Sequence, residues 1–328
     1  MSILNTPIQI KNLTLKNRLV MPPMATSKAK DGLVTQDHID YYKEKSAGGY
    51  LGLIIVEHSY ISKEGMASLQ QLSISKPEDI EGYKKLVNTI HENNTPVFAQ
   101  INHAGSRSCH EERLSSSEIR HPRNKEGEAL PKEMTKEDIQ KVIDDFVKAA
   151  MLAKDAGFDG VEIHSAHGYL LNQFYSPLTN KRTDEYGGSL EGRIKLHLEV
   201  IEAVRKAVGK DYPIALRLGA VDDLEGGSQV DDAIVACQAF EKAGVDVLDI
   251  SGGMNGYIRP HIKDEGYYRD VTTEIKKYVS IPVILTGGIK TAKTSERLLE
   301  EGCSDLVGVG RSLMQDSLWA KKCIESLL

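Results

Sequence analysis

Eight short apolar segments, each followed by an amphipathic stretch, set the tightest limit on how this chain can fold. The expected strands are Arg18–Met21, Leu53–Glu57, Val97–Ile101, Gly160–His164, Ile214–Leu218, Val247–Ser251, Val283–Thr286 and Leu306–Val309. Alternating strands and helices predict a parallel sheet, and eight repeats favour a closed (β/α)8 TIM barrel over an open doubly wound sheet.

Two further segments are interpreted as additions to a single domain that spans residues 1–328. Ile8–Ile10 and Leu13–Leu15, separated by a Lys-Asn turn, predict a short N-terminal hairpin. A polar stretch at about 106–133, after the third strand, is longer than an ordinary connection in a compact domain. We therefore interpret this insertion as a lid over the catalytic face of the barrel.

Composition and charge argue against several classes of function. A net charge of -6 and a pI near 6.0 give no basic surface for nucleic acid or an anionic membrane. No apolar run approaches the roughly 18 residues that a membrane helix needs. The N-terminus has no secretion-signal pattern, and the four cysteines lie far apart, so we expect a cytoplasmic protein with free thiols. The expected partners are a small molecule and, in a homo-oligomer, further copies of the chain.

Polar side chains follow many of the expected strands at their carboxyl ends, where the active site of a TIM barrel lies. They are Glu57, His58, Gln100, Asn102, Glu162, His164, Arg217, Asp249 and Ser251. A buried arginine such as Arg217 is costly unless its charge is paired or directed at a ligand. It therefore either forms an ion pair with Glu162 or Asp249 or contacts a ligand, and the number of polar strand ends favours a polar ligand.

The stretch from Asp159 to Pro177 holds the densest group of candidate catalytic side chains. Alternation along the fourth strand places Glu162 and His164 on one face, and His167 and Tyr169 follow in the next loop. Taken alone, the stretch is equally typical of a surface histidine beside a core tyrosine. Its position at a strand end on the catalytic face favours an active site.

Glycine-rich turns after the last two strands predict a phosphate site. Gly287 and Gly288 follow the seventh strand, and Gly308 and Gly310 accompany the eighth. Glycine lets backbone N–H groups approach phosphate oxygens closely, and the loops after these two strands are the usual phosphate site of TIM barrels. Arg311 would add a charged donor, so a phosphorylated ligand or cofactor is expected.

Two other kinds of chemistry are disfavoured by the same survey. No lysine ends an expected strand, which argues against a Schiff-base mechanism. His164 and His167 could ligate a metal, but the sequence offers no convincing third ligand at a suitable spacing. We therefore predict no metal site.

Five motifs resemble those of the Old Yellow Enzyme family across nearly the whole chain. They are Asn17-Arg18 with Pro22-Pro23-Met24-Ala25, Gln100 to Gly105, His164 to Pro177, Asn180 to Glu191 and Gly308 to Arg311. The paired histidines are similar to those of the bacterial branch. The resemblance implies FMN as cofactor, NAD(P)H as reductant, and reduction of the C=C bond of α,β-unsaturated carbonyl compounds, which are electron-poor alkenes.

The resemblance also implies roles for individual residues. The implied cofactor-binding residues are Pro23, Met24, Ala25, Gln100, Arg217, Gly288, Gly310 and Arg311. Among them, Arg217 resembles the positive charge that stabilises the reduced flavin. His164 and His167 resemble the pair that binds the substrate carbonyl, and Tyr169 resembles the acid that protonates the α-carbon after hydride transfer from flavin N5.

Three positions depart from the family pattern. Ala25 stands where relatives often have a Thr or Cys that tunes the flavin potential, so Thr26 is the neighbouring hydroxyl that would have to replace it. His58 stands where many relatives have a small residue, and we predict that it contributes to the substrate pocket. Ser27 replaces a substrate-facing Tyr of one branch, which would enlarge the pocket.

Two other functions fit the same residues. One is a flavin barrel of different redox chemistry, such as a quinone or flavin reductase or an amine or alcohol dehydrogenase. The other is a flavin-free isomerase or binding protein that takes a phosphorylated ligand. The motifs of the Old Yellow Enzyme family favour the ene-reductase over both.

Overall fold

The computed structural model describes residues 2–328, and its strands follow the expected segments closely. The strands are β1 (Ile8–Ile10), β2 (Leu13–Leu15), β3 (Leu19–Met21), β4 (Leu53–Tyr60), β5 (Leu72–Ser73), β6 (Val97–Asn102), β7 (Leu114–Ser115), β8 (Lys132–Glu133), β9 (Gly160–Ser165), β10 (Ile214–Val221), β11 (Val247–Gly252), β12 (Val283–Thr286) and β13 (Leu306–Gly308).

Eight parallel strands within residues 2–328 close into a barrel. The order around the barrel is β3, β4, β6, β9, β10, β11, β12 and β13, and β13 pairs with β3 to close the ring. Parallel neighbours need a crossover connection, which the helices between them supply. The predicted (β/α)8 TIM barrel is confirmed, and so is the N-terminal hairpin, in which β1 and β2 pair antiparallel.

Helices surround this barrel and are amphipathic where they pack on it. They are α1 (Gln36–Ser46), α2 (Ile80–His91), α3 (Lys136–Asp155), α4 (Leu170–Tyr175), α5 (Leu190–Val208), α6 (Val230–Ala243), α7 (Arg269–Lys276), α8 (Ala292–Glu300), α9 (Arg311–Gln315) and α10 (Trp319–Glu325). Side-chain caps start several of them; the Thr135 hydroxyl, for example, accepts from the Asp138 N–H at 3.1 Å. None of the helices in residues 2–328 is long and apolar enough to cross a membrane.

The hairpin closes the amino-terminal end of the barrel. Ile10 and Leu15 are buried in one cluster with inward-facing side chains from the beginnings of the strands, including Leu53 and Phe98. β9 begins with Gly160, where a Cβ would lie 2.6 Å from the Phe98 ring. Because apolar side chains seal this end, a ligand must enter from the opposite, carboxyl-terminal end.

The segment after His167 differs from the expected polar loop, because it forms helix α4. All six of its residues are buried, and Leu170, Leu171 and Phe174 face the core at helical spacing. The sequence pattern was too short to distinguish a buried helical turn from an irregular loop. The consequence is that Tyr169 lies at a rigid helix start.

Gln173 of α4 fastens the insertion to the active-site loop. Its Oε1 accepts from the Ser106 N–H at 3.0 Å and from the Ser115 hydroxyl at 2.8 Å. Its Nε2 donates to the Gly168 carbonyl oxygen at 2.7 Å. The buried Gln173 side chain therefore links the start of the insertion to the loop before Tyr169.

Arg182, in the Asn180–Glu191 motif, holds the two ends of the insertion together. Its Nη1 donates to the carbonyl oxygens of Ser116 and Met134, at 3.1 and 2.7 Å. Its charge is paired with Asp184, whose Oδ2 accepts from Nη2 at 2.6 Å. This motif therefore supports the architecture around the site rather than the chemistry in it.

Buried ionisable groups make the stability of this fold sensitive to acid. Burial is the main cause of a lowered pKa for seven histidines: His38, His58, His103, His121, His164, His167 and His197. Burial is also the main cause of a raised pKa for four carboxyl groups: Glu57, Glu162, Asp222 and Asp249.

We expect the free energy of unfolding to fall steeply as the pH is lowered from about 6.5 toward 4. In this window the unfolded chain protonates histidines that the folded chain keeps neutral, so unfolding takes up protons and acid favours it. Near pH 5 the seven histidines are protonated in the unfolded chain and neutral in the folded chain. If the folded chain keeps all four carboxyl groups protonated, unfolding releases those four protons and still takes up a net of three. That corresponds to about 4 kcal/mol per pH unit, measurable by denaturant titration at several pH values.

His110, which is exposed on the insertion, provides the matched control. His110→Gln should leave the free energy of unfolding near the wild-type value, because this side chain is exposed. A free energy of unfolding that stays flat between about pH 6.5 and 4.5 would contradict the assignment of neutral buried histidines.

Candidate active site

A cavity of ≈ 620 Å³ opens at the carboxyl ends of the barrel strands. It brings together the residues singled out from the sequence. They are Pro23, Met24, Ala25, His58, Gln100, His164, His167, Tyr169, Arg217, Gly288, Gly310 and Arg311. Residues from all parts of the chain thus meet at one mouth, as the barrel topology requires.

The rings of His164, His167 and Tyr169 form a tight group on one wall of the cavity. The His164 ring centroid lies 5.1 Å from those of both His167 and Tyr169, with interplanar angles of 83° and 82°. The turn that brings them together is unusual, because His167 and Gly168 both have positive φ, 60° and 75°. A strained non-glycine residue at such a turn is typical of functional sites.

Both histidines of this group are neutral. Burial lowers the pKa of His164 well below its usual value, and the nearby His167 lowers it further. Burial also lowers the pKa of His167, with Arg217 the next cause. Nδ1 of His164 accepts from the Ala166 N–H at 3.2 Å, so the ring proton is on Nε2. Each ring can therefore donate one hydrogen bond without carrying charge.

Ser251, at the end of β11, sets the orientation of the second histidine. Its hydroxyl oxygen lies 2.8 Å from Nε2 of His167. When this hydroxyl donates to Nε2, the ring proton of His167 is on Nδ1. The sequence identified Ser251 as a polar strand end but gave it no partner, because the contact joins strands that are distant in the chain.

His58 lies in the wall of the cavity. Its ring stacks on Tyr169 with centroids 5.4 Å apart and an interplanar angle of 24°. Nδ1 faces the side-chain amides of Gln71 and Asn102, at 3.1 and 3.3 Å. Burial lowers the pKa of His58 to about 4, so this ring is also neutral. His58 thereby fixes the plane of the Tyr169 ring.

A buried polar group on β6, β9, β10 and β11 adjoins the cavity, and two of its members, Gln100 and Arg217, line it. Arg217 Nε lies 3.3 Å from Asp249 Oδ2, but neither atom has a hydrogen-bond partner among residues 2–328. Glu162 Oε2 accepts from Gln100 Nε2 at 2.7 Å. Burial, and then the Asp249 charge, raise the pKa of Glu162. The ion pair considered for Arg217 is therefore present, and its guanidinium also lines the cavity.

The opposite side of the cavity is built from the glycine-rich turns. Gly288 has φ 69°, and a Cβ there would lie 2.8 Å from the Tyr267 ring and 3.3 Å from Arg311 Nη2. A Cβ on Gly310 would lie 2.8 Å from Met24 Sδ. Glycine at these two positions therefore lets Tyr267 and Met24 pack against bare backbone beside a guanidinium in the cavity wall, and such backbone can donate to a phosphate group.

Thr26 does not replace the side chain missing at Ala25. Its hydroxyl donates to Glu57 Oε1 at 2.6 Å and its N–H donates to Glu57 Oε2 at 2.9 Å. Thr26 and Ser27 are not among the residues that line the cavity, whereas Ala25 is. Ser27 is exposed with φ 56°. Ala25, Thr26 and Ser27 therefore place no hydroxyl group in the cavity wall.

Two cavity residues come from the insertion, and the sequence did not single them out. Arg107 and Arg123 both line the cavity near Tyr169. Charged residues in a polar loop are normally solvated, so no sequence signal marked these two. The insertion therefore contributes two guanidinium groups to the cavity.

No group of three or more potential metal ligands occurs in the part of the chain that the structure describes. FMN, in contrast, fits the residues present. The Arg217 side chain, paired with Asp249 at 3.3 Å, lines the cavity, and the backbone of Gly288 and Gly310 lies beside Arg311, where a phosphate could bind.

Comparison with known proteins gives a match over nearly the whole chain. Residues 3–327 match the NADH:flavin oxidoreductase / NADH oxidase family. An NADH oxidase from Thermoanaerobacter brockii is 40% identical over 97% of this chain but 50% of its own length. An NADPH dehydrogenase from Bacillus subtilis (strain 168) is 36% identical over 98% of this chain and 94% of its own. The chain thus spans about half the length of some relatives and nearly all of others.

A solved structure gives the same result for the fold. The old yellow enzyme homologue from Zymomonas mobilis is 27% identical, with a TM-score of 0.86 over 98% of this chain and 92% of that chain. The barrel and its additions therefore follow an architecture already seen in a protein of similar sequence.

Proposed function

Because this chain belongs to the NADH:flavin oxidoreductase / NADH oxidase family, we propose that it is an ene-reductase. Membership confirms the resemblance to the Old Yellow Enzymes that the motifs predicted. FMN is the cofactor and NAD(P)H the reductant. The proposed substrate is an alkene conjugated to a carbonyl group, and the proposed reaction reduces its C=C bond.

The observation that carries the proposal is the grouping of His164, His167 and Tyr169 in one cavity. Two neutral imidazoles, each with one N–H donor, adjoin a phenol 5.1 Å from the first of them. Two donors and an acid on one wall suit a substrate that develops negative charge on oxygen and then needs a proton on carbon.

FMN, when bound, supplies the hydride chemistry that links NAD(P)H to the alkene. We assign it to Pro23, Met24, Ala25, Gln100 and Arg217 along the ring system and to the recess at Gly288, Gly310 and Arg311 for its phosphate. Arg217 places positive charge in a buried position, where it favours an electron-rich ligand. Asp249 offsets part of that charge at 3.3 Å.

His164 and His167 polarise the substrate by donating hydrogen bonds to its carbonyl oxygen. This draws electron density from the β-carbon and makes it a better hydride acceptor. Because each ring is neutral, it carries a single N–H, and that donor is available to the carbonyl oxygen. The Ala166 N–H fixes the tautomer of His164, and the Ser251 hydroxyl oxygen lies 2.8 Å from Nε2 of His167.

Tyr169 then donates its proton to the α-carbon. Burial raises the pKa of Tyr169, while Arg107 and Arg123 oppose that rise, so the hydroxyl stays protonated at neutral pH. A phenol is a weak acid, but the carbon that receives the proton is enolate-like after hydride arrives. His58 keeps the ring in place by stacking against it.

We expect the purified protein to bind FMN, to be reduced anaerobically by NADH or NADPH, and to be reoxidised by cyclohexenone or maleimide. Flavin absorbance follows both half-reactions separately. Protein that takes up no FMN would exclude every flavin-dependent function. Reoxidation by quinones but by no activated alkene would favour a quinone reductase instead, for which the bare wall at Ala25 leaves room.

A further inference from the structure

Arg107 and Arg123 bring two positive charges into the cavity without a carboxylate to balance them. Neither guanidinium forms an ion pair within residues 2–328, whereas Arg113 of the same insertion lies 3.5 Å from Glu128. Burial lowers the pKa of Arg107, and the Arg123 charge lowers it further. Arg107 is half-buried and Arg123 is exposed at the mouth of the cavity, so an anion bound between them would reduce the repulsion of two like charges.

Both arginines are held toward the cavity. Nη1 of Arg107 donates to Asn124 Oδ1 at 3.0 Å, which ties it to the segment that carries Arg123. A Cβ on Gly256 would lie 2.7 Å from Arg123 Nη1, so this side chain reaches across to the loop after β11. The start of the insertion, at Ser106, is hydrogen-bonded to Gln173. Both guanidinium groups thus line the cavity beside Tyr169.

The pair lies on a different side of the mouth from the proposed FMN phosphate site. Arg107 follows β6, the third barrel strand, whereas Gly288 and Arg311 follow the seventh and eighth strands. In an eight-stranded ring those positions face each other across the opening. Arg107 and Arg123 are also the charges that act on Tyr169, whereas Arg311 acts on Tyr267.

Glu128 acts on the Arg107 charge but forms its ion pair with Arg113, and the other neighbouring side chains add no negative charge. His58, His164 and His167 are neutral rings, and burial lowers the pKa of His121 to about 3, with Arg107 the next cause. An anionic ligand bound beside Tyr169 would therefore meet two guanidinium groups that form no ion pair within residues 2–328.

We propose that the oxidising substrate carries a carboxylate in addition to its activating carbonyl, and that Arg107 and Arg123 bind it. The proposal rests on the ene-reductase function and names its substrate class: keto- or formyl-alkenoates. Guanidinium forks match the two oxygens of a carboxylate and form charge-assisted hydrogen bonds. A cavity of ≈ 620 Å³ that also receives FMN favours a compact anion over a large one.

The test compares 4-oxopent-2-enoate with its neutral amide in reoxidation of the NADH-reduced holoenzyme. In R107Q/R123Q we expect the Kd of the acid to rise about 100-fold or more and that of the amide to change by less than about threefold. R107K/R123K, which keeps both charges, should retain the preference for the acid. Arg113→Gln removes a paired arginine from the same insertion and should change neither Kd.

Binding of saturated analogues to the oxidised holoenzyme separates this proposal from the ene-reductase function. 4-Oxopentanoate and its amide cannot be reduced, so flavin absorbance reports their Kd even if no alkene reoxidises the enzyme. Equal affinity for acid and amide in the wild type, or equal losses in the double variant, would overturn the proposal. A loss confined to NADH binding would also overturn it, by assigning the pair to the dinucleotide phosphates.

Discussion

Tyr169→Phe is expected to slow reoxidation of the reduced enzyme by an alkene roughly 10²- to 10⁴-fold, the range typical of a lost general acid. Reduction of the flavin by NAD(P)H should change by less than about twofold, because no proton from Tyr169 is needed in that half-reaction. The ring remains in place, since its contacts with His58 and His164 involve the aromatic faces and edges. Anaerobic stopped-flow absorbance measures the two half-reactions independently.

The pH dependence gives a second measure of the same role. Burial raises the pKa of Tyr169 above its usual value, so the acid form is complete throughout the neutral range. Wild-type reoxidation should therefore stay constant between about pH 6 and 9. In Tyr169→Phe, solvent would have to deliver the proton, so the residual rate should fall as the pH rises across that range.

Tyr257→Phe is the matched control, because Tyr257 lines the same cavity with its ring 6.0 Å from that of His167. It should leave both half-reactions near the wild-type rates. An equal loss of both half-reactions in Tyr169→Phe would indicate a packing or binding role for this side chain and would contradict the assignment of Tyr169 as the acid.

The sequence predicted the barrel because the barrel depends on patterns repeated eight times. Each strand is a short apolar run, each helix has an amphipathic face, and errors at one boundary do not change the topology. The sites at strand ends follow from that topology, which is why Gln100, His164 and Arg217 could be placed at one mouth from their positions alone.

Features that depend on side-chain direction could not be obtained in the same way. Nothing in the sequence shows that Thr26 turns to Glu57, or that Ser251 meets His167 from another strand. Arg107 and Arg123 were two of several arginines in a polar insertion, and only the packed structure distinguishes them from the paired Arg113. Long-range contacts select among residues that local patterns treat alike.

His164→Ala combined with His167→Ala is expected to reduce the alkene half-reaction by about 10³-fold or more, since one donor to a developing oxyanion is typically worth 10²- to 10³-fold. The two effects should not simply add, because both rings contact one oxygen. Phenols, which would accept the same hydrogen bonds through their oxygen, should lose affinity and the long-wavelength absorption band of their flavin complex. Titration of the oxidised holoenzyme with a phenol measures this directly.

Conservative replacements distinguish donation from packing. His167→Asn keeps an N–H donor near Ser251 and should retain more phenol affinity than His167→Ala. If the His167 ring acted only by filling space, both variants would lose phenol affinity to the same extent. His110→Ala, on the exposed part of the insertion, is the control for loss of a histidine. An unchanged phenol band in the double variant would refute the carbonyl-binding role. Because both rings are neutral in the wild type, phenol binding should follow the ionisation of the phenol rather than that of either histidine.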